Sequence, residues 1–116
     1  SLFGNPFAED PSQTTGKLLS LTESVNKLLE ATKRSRQGAE EVWTPFRSKG
    51  YSKQTSADDT LISQLSPLSE RLSALDRLAT KARIDKNVPD MQKYLNEIAD
   101  LEKQFNDYVY NYNVTT

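Results

Sequence analysis

The side chains in this sequence with the greatest capacity for chemistry are carboxylates, and their spacing does not bring them together. Carboxylates are dispersed along the chain and include Glu40, Glu41, Asp58, Asp59, Glu97, Asp100 and Glu102. Glu97 and Asp100 stand three residues apart, so they are neighbours on a helix. A metal site or an acid–base pair needs more groups that converge on one point. We therefore interpret these carboxylates as solvated surface.

The sequence lacks the residues that the commonest active sites and zinc sites use. It contains no His and no Cys, which removes the usual general base, the thiol nucleophile, zinc ligands and disulfides. The glycines at positions 4, 16, 38 and 50 are isolated, so no glycine-rich loop can hold phosphate groups. We expect a protein that is not an enzyme and that binds no metal and no cofactor.

Composition favours a helical protein with a thin core. Apolar residues make up 35% of the 116 residues, and the mean hydropathy is -0.71, which suits one buried stripe per helix. A formal net charge of -1 predicts no nucleic-acid partner and no attraction to an anionic membrane. No apolar run approaches the roughly 20 residues that cross a bilayer, so we expect no direct membrane insertion.

Residues 1–15 are predicted to form a flexible tail, because prolines at positions 6 and 11 break any regular period. The tail contains Asn5-Pro6-Phe7, which resembles the tripeptide ligand of EH domains. In such a ligand Asn and Pro preorganise a turn and Phe supplies an apolar anchor. The resemblance implies an EH-domain protein as one partner.

A long helix is predicted over residues 16–46, with its regular part limited to about 16–44 by Pro45. Its apolar residues follow a heptad frame that includes Leu18, Leu21, Val25, Leu28, Ala39, Val42 and Phe46. Thr32 and Ser35 occupy two apolar slots of that frame, and Gly38 weakens the helix nearby. We expect a bend, a break or a locally exposed segment near 32–38.

Two further segments complete this half of the chain. The basic cluster of Lys33, Arg34 and Arg36 is interpreted as a solvated helix face. Residues 47–57 contain Gly50 and several Ser and Thr residues, and they are predicted to be a linker.

The second half of the chain, 58–116, predicts a helical hairpin. The outgoing heptad residues are Leu61, Leu65, Leu68, Leu72, Leu75, Ala79 and Ala82. Because Pro67 follows Ser66, a typical N-cap residue, we divide this region into a short turn of helix at 58–65 and a main helix at 67–84. A single helix kinked at Pro67 is the alternative.

A tight polar connection, Asp85-Lys86-Asn87, implies that a returning helix over 88–112 runs antiparallel to the outgoing one. Its main stripe is Tyr94, Ile98, Leu101, Phe105 and Tyr108. The predicted fold is therefore all-α: an antiparallel hairpin of about 67–84 and 88–112, with an additional N-terminal helix. That helix either packs as the third member of a bundle or stands apart.

The hairpin has more apolar surface than a two-helix contact consumes. The surplus lies near the tip and consists of Leu78, Ile84, Val88, Met91 and Leu95. Either the N-terminal helix covers these side chains, or they form a binding site for a partner.

Residues 66–108 resemble the Rab-binding domain of rabenosyn, an endosomal tether, and its fungal vacuolar-sorting counterparts. The residues that carry the resemblance are Ser66-Pro67-Leu68, Leu72, Leu75, Ala79, Ala82, the turn from Ile84 to Asp90, Met91, Tyr94, Ile98, Leu101, Glu102 and Phe105. Pro89, Tyr94 and Leu95 depart from the residue types usual in that family.

The resemblance implies binding to the GTP-bound form of an early-endosomal Rab GTPase, in vesicle trafficking to the endosome or vacuole. The side chains it implies as the partner-binding site are Leu75, Leu78, Ala82, Val88, Met91 and Leu95. It also implies a cytoplasmic protein held peripherally on endosomes. The alternative is a structural role, as a coiled-coil or helical-bundle subunit of a larger trafficking complex.

Overall fold

The computed structural model describes residues 11–43 and 53–116. Three long helices account for almost all of these residues: α1 (Pro11–Trp43), α2 (Lys53–Ile84) and α3 (Val88–Thr115). They form an elongated body with extents of 61 × 24 × 16 Å. The predicted all-α fold is confirmed, and no strand occurs in these two ranges. Asn5-Pro6-Phe7 and most of the predicted linker lie outside the described residues.

The central helix of the bundle is α2, which packs against α1 on one side and against α3 on the other. Its heptad side chains meet the apolar stripes of both neighbours, as periodicity predicts. The buried core consists of Leu18, Leu21, Val25, Leu29, Leu61, Leu65, Leu68, Leu72, Leu75, Ile98 and Leu101. The N-terminal helix therefore belongs to the bundle, while α1 and α3 touch each other much less.

Pro67 lies inside α2 and does not end it, so the predicted division at Ser66 is wrong. The Ser66 hydroxyl donates to the Ile62 carbonyl oxygen at 2.7 Å instead of capping a new helix. An interior proline typically costs a helix about 3 kcal/mol. Leu65 and Leu68, on either side of Pro67, are nearly fully buried, and their packing offsets that cost. Two helices begin earlier than predicted: α1 begins at Pro11, within the predicted tail, and α2 begins at Lys53, within the predicted linker.

The helix α1 runs without interruption through residues 32–38, so no break occurs there. Lys33, Arg34 and Ser35 are exposed, which agrees with the alternative of a locally exposed segment. Thr32, one of the two polar residues in the apolar frame, is 4% exposed. Its hydroxyl donates to the Leu28 carbonyl oxygen at 2.7 Å, which satisfies the polar group inside the bundle. The interruption in the stripe marks a polar layer between the helices.

The turn between α2 and α3 has the predicted antiparallel geometry. Lys86 adopts a left-handed conformation with φ 55°. Its N–H bonds to the Arg83 carbonyl oxygen at 3.2 Å, and the Asn87 N–H bonds to the Ala82 carbonyl oxygen at 2.8 Å, which together make a Schellman ending. The Asn87 side chain then caps α3 by accepting from the Asp90 N–H at 3.1 Å.

Candidate functional site

The structure divides the predicted partner-binding residues between the interior and the surface of the hairpin. Leu75, Ala82 and Met91 are at most 5% exposed and pack the two helices together, so they are not available for direct docking. Leu95 is half-buried. Leu78 and Val88 are exposed, and so is Ile84, which the sequence placed in the wider patch.

The buried members form the support behind the turn. Ala82 and Met91 pack against each other, with Tyr94 and Leu95 beside them. A side chain as small as that of Ala82 allows α2 and α3 to approach closely, and the flexible Met91 fills the remaining space. This contact holds the turn in one position relative to the bundle.

The exposed members are three aliphatic side chains around the turn, which we call the tip surface: Leu78, Ile84 and Val88. Their exposed fractions are 36%, 71% and 41%. Leu78 and Ile84 lie near the end of α2, with Lys81 midway between them in sequence, and Val88 begins α3. Single exposed apolar residues are common, and three within eleven residues make this end of the bundle a candidate for an interaction site.

Cationic side chains surround the tip surface. Arg77, Arg83 and Lys86 are exposed, and none forms an ion pair with another residue in the described part of the chain. Lys81 is paired with Asp85 at 2.7 Å, and this hydrogen bond raises the pKa of the Lys81 ammonium group. Asp76 and Asp90 carry negative charge in the same segment, so the tip combines apolar side chains with a small excess of positive charge.

A second polar constellation lies deep in the bundle, at the opposite end from the turn. Asp58 is fully buried. Its carboxylate accepts from the Tyr112 hydroxyl at 2.6 Å, from the Gln54 amide at 3.0 Å and from the Ser35 hydroxyl at 3.2 Å. All three helices therefore contribute to this group, which we call the Asp58 cluster. The interpretation of Asp58 as solvated surface is therefore wrong.

The heptad frame contained a signal for the Asp58 cluster. Asp58 stands three residues before Leu61, Ser35 occupies a core slot of α1, and Tyr112 follows Tyr108 by four residues. Each helix thus contributes a polar side chain at the same level, of which Asp58 is buried, Tyr112 half-buried and Ser35 exposed. Burial raises the pKa of the Tyr112 hydroxyl, and its hydrogen bond to Asp58 raises that pKa further.

Two ion pairs strengthen the contacts between helices. Arg36 pairs with Asp59 at 2.8 Å, so this member of the basic cluster is bound to α2, whereas Lys33 and Arg34 are exposed. Arg71 forms a two-pronged pair with Glu97 on α3, with Nη2 2.7 Å from Oε1. The Arg71 guanidinium holds the pKa of the Glu97 carboxyl below its ordinary value.

These polar groups are structural in their arrangement. Every buried side-chain polar atom in the described ranges has a hydrogen-bond partner. No group of three or more potential metal ligands occurs among residues 11–43 and 53–116. None of the three described helices is long and apolar enough to cross a membrane. The tip surface is thus the strongest candidate for a binding site.

Comparison with protein-family models, with curated proteins and with solved structures finds no match to this chain. A functional proposal therefore depends on the surface chemistry of the bundle.

Proposed function

We propose that this protein is an interaction module, not an enzyme, and that the tip of its hairpin binds the GTP-bound form of an early-endosomal Rab GTPase. The observation that carries the proposal is the exposure of Leu78, Ile84 and Val88 around a turn whose supporting side chains are buried. The resemblance of residues 66–108 to the Rab-binding domain of rabenosyn supports the choice of partner.

Recognition would depend on a few apolar anchors in a preorganised surface. Ile84 is the most exposed of the three and supplies the largest area for a partner to cover. Met91 and Ala82, packed behind the turn, would keep that surface from rearranging on binding. In a GTPase the γ-phosphate orders the switch segments, so the GTP form presents an apolar surface that the GDP form lacks.

The charge of the tip adds an expectation about the partner's surface. Arg77, Arg83 and Lys86 would face acidic side chains at the rim of the GTPase contact. Exposed charges steer association and are screened by salt. Binding should therefore become slower as ionic strength rises, while the apolar contacts keep the complex specific.

The cellular setting is part of the same proposal. We propose a cytoplasmic tether, peripheral on endosomes and recruited through its Rab partner. An EH-domain protein would bind Asn5-Pro6-Phe7, which lies outside the described residues.

A structural role in a larger trafficking complex is the second candidate, and one observation favours it. Because α1 and α3 touch each other little, an open groove of about 730 Å³ lies between them. The half-buried Phe105 contributes apolar surface to this groove, beside polar side chains that include Lys17 and Glu102. A helix from another subunit could pack there and complete a four-helix arrangement.

A calorimetric titration with early-endosomal Rab GTPases tests the main proposal. Each GTPase is loaded either with a non-hydrolysable GTP analogue or with GDP, and each titration is run at low and at physiological salt. We expect binding to the GTP-analogue form only, weaker at the higher salt concentration. Equal binding to both forms, or none, would remove the proposal. Concentration-dependent sedimentation without GTPase binding would favour the structural role.

A further inference from the structure

The hydroxyl of Ser35 connects the surface of α1 with a buried charge. The Ser35 side chain is exposed, yet its Oγ donates to Oδ2 of Asp58 at 3.2 Å. Asp58 itself has no exposed surface. A negative group attached to Ser35 would therefore lie beside a fixed carboxylate that only accepts hydrogen bonds.

The surroundings of Ser35 on α1 are cationic. Lys33 and Arg34 precede it and are exposed, and Arg36 follows it and pairs with Asp59 at 2.8 Å. A hydroxyl among basic residues is the charge pattern that suits the acidic substrate cleft of a basophilic serine/threonine kinase. The function proposed for the tip surface does not use Ser35 or these basic residues.

Gly38 makes this part of α1 easier to open. A Cβ added at Gly38 would meet nothing within 4 Å, so packing does not require glycine there. Glycine inside a helix nevertheless destabilises it relative to alanine. The last turns of α1 can therefore unfold locally, which lets a kinase bind Ser35 in an extended conformation.

We propose that Ser35 is a phosphorylation site and that its modification releases the C-terminal part of α1 from α2. In the phosphoryl transfer, Oγ of Ser35 bonds to the γ-phosphorus of ATP. The bond from that phosphorus to the β–γ bridging oxygen breaks. ADP leaves, and the hydroxyl proton passes to a carboxylate of the kinase and then to water.

The phosphate weakens two contacts between α1 and α2 at once. Ser35 no longer donates to Asp58, and a charge of about -1.5 to -2 at neutral pH repels that carboxylate. The phosphate also competes with Asp59 for the Arg36 guanidinium, which weakens the second link between α1 and α2. Gln54 and Tyr112 remain bonded to Asp58, so the contact between α2 and α3 is kept.

The test treats the full chain with the catalytic subunit of a basophilic kinase and magnesium ATP, followed by mass spectrometry and hydrogen exchange. We expect one phosphate at Ser35 and amide exchange in residues 32–43 that is at least about tenfold faster, with residues 61–101 unchanged. Absence of phosphate at Ser35, or unchanged exchange after modification, would overturn the proposal.

Four variants make the test specific. Ser35→Ala should abolish incorporation, and Gly38→Ala should slow it about fivefold, because the local opening becomes less frequent. Ser35→Glu should speed exchange in residues 32–43. Ser73→Glu, an exposed substitution on α2 remote from the cluster, should not. Equal effects of the two glutamate variants, or an unchanged rate in Gly38→Ala, would contradict the mechanism.

Discussion

Replacement of Asp58 with alanine should lower the free energy of unfolding by about 3 kcal/mol. The substitution removes a carboxylate that accepts from Tyr112, Gln54 and Ser35. Hydrogen bonds to a charged group contribute about 1.5–3 kcal/mol each. The wild-type fold must take the carboxylate out of water and the alanine variant does not, which returns several kcal/mol of that sum. The Tyr112 hydroxyl, left without this acceptor, adds a penalty of about 1–3 kcal/mol.

Urea denaturation followed by far-ultraviolet circular dichroism measures this loss. The matched control is Asp59→Ala, which removes a partly exposed ion pair with Arg36 and should cost less than about 1 kcal/mol. A double-mutant cycle of Asp58→Ala with Tyr112→Phe should give a coupling of about 1–2 kcal/mol. If Asp58→Ala and Asp59→Ala cost the same, Asp58 is not buried in a polar cluster and the reasoning is refuted.

Three further predictions concern the hairpin and the cluster. Met91→Asp should destabilise the bundle by about 3–5 kcal/mol, because it buries a charge beside Ala82; a variant with wild-type thermal stability would show that Met91 is exposed in solution. Lys86→Gly should raise the urea midpoint by an amount equivalent to about 0.5–1 kcal/mol, because glycine adopts φ 55° without strain; a lower midpoint would contradict the left-handed turn. The pKa of Tyr112 is raised in the fold, so its contribution to stability is full below pH 10.0, the ordinary value, and falls as pH rises through the higher folded value. Tyr112→Phe should therefore lose less stability than the wild type between neutral and strongly alkaline pH, and an equal loss would refute the assignment.

Much of the fold was predictable because heptad periodicity is a local property. The spacing of Leu61, Leu65, Leu68 and Leu72 predicts a buried stripe, and the structure buries all four. Asp85-Lys86-Asn87 likewise predicted the tight turn. Pro67 misled the division of α2, because tertiary packing of the leucines outweighs the local cost of the proline.

The candidate site was less predictable, because it depends on which apolar stripe of α2 packs against which apolar stripe of α3. Met91 and Ile84 are both apolar residues near the turn, yet one is 5% exposed and the other 71%. This difference in exposed fraction follows from the rotation of α3 about its axis relative to α2. The apolar spacing within either helix does not specify that rotation. The buried position of Asp58 was missed for a related reason: its polar partners come from all three helices and are distant in sequence.

The most direct test of the tip surface is a titration of GTP-analogue-loaded Rab GTPase into three proteins: the wild type, Ile84→Asp and Val114→Asp. Ile84 and Val114 are similarly exposed, at 71% and 62%. Ile84 lies at the turn, whereas Val114 lies at the far end of the hairpin. We predict that Ile84→Asp weakens binding at least about thirtyfold, the loss of one apolar anchor, and that Val114→Asp binds as the wild type does. Wild-type affinity in Ile84→Asp, with its helicity unchanged, would contradict docking at the tip.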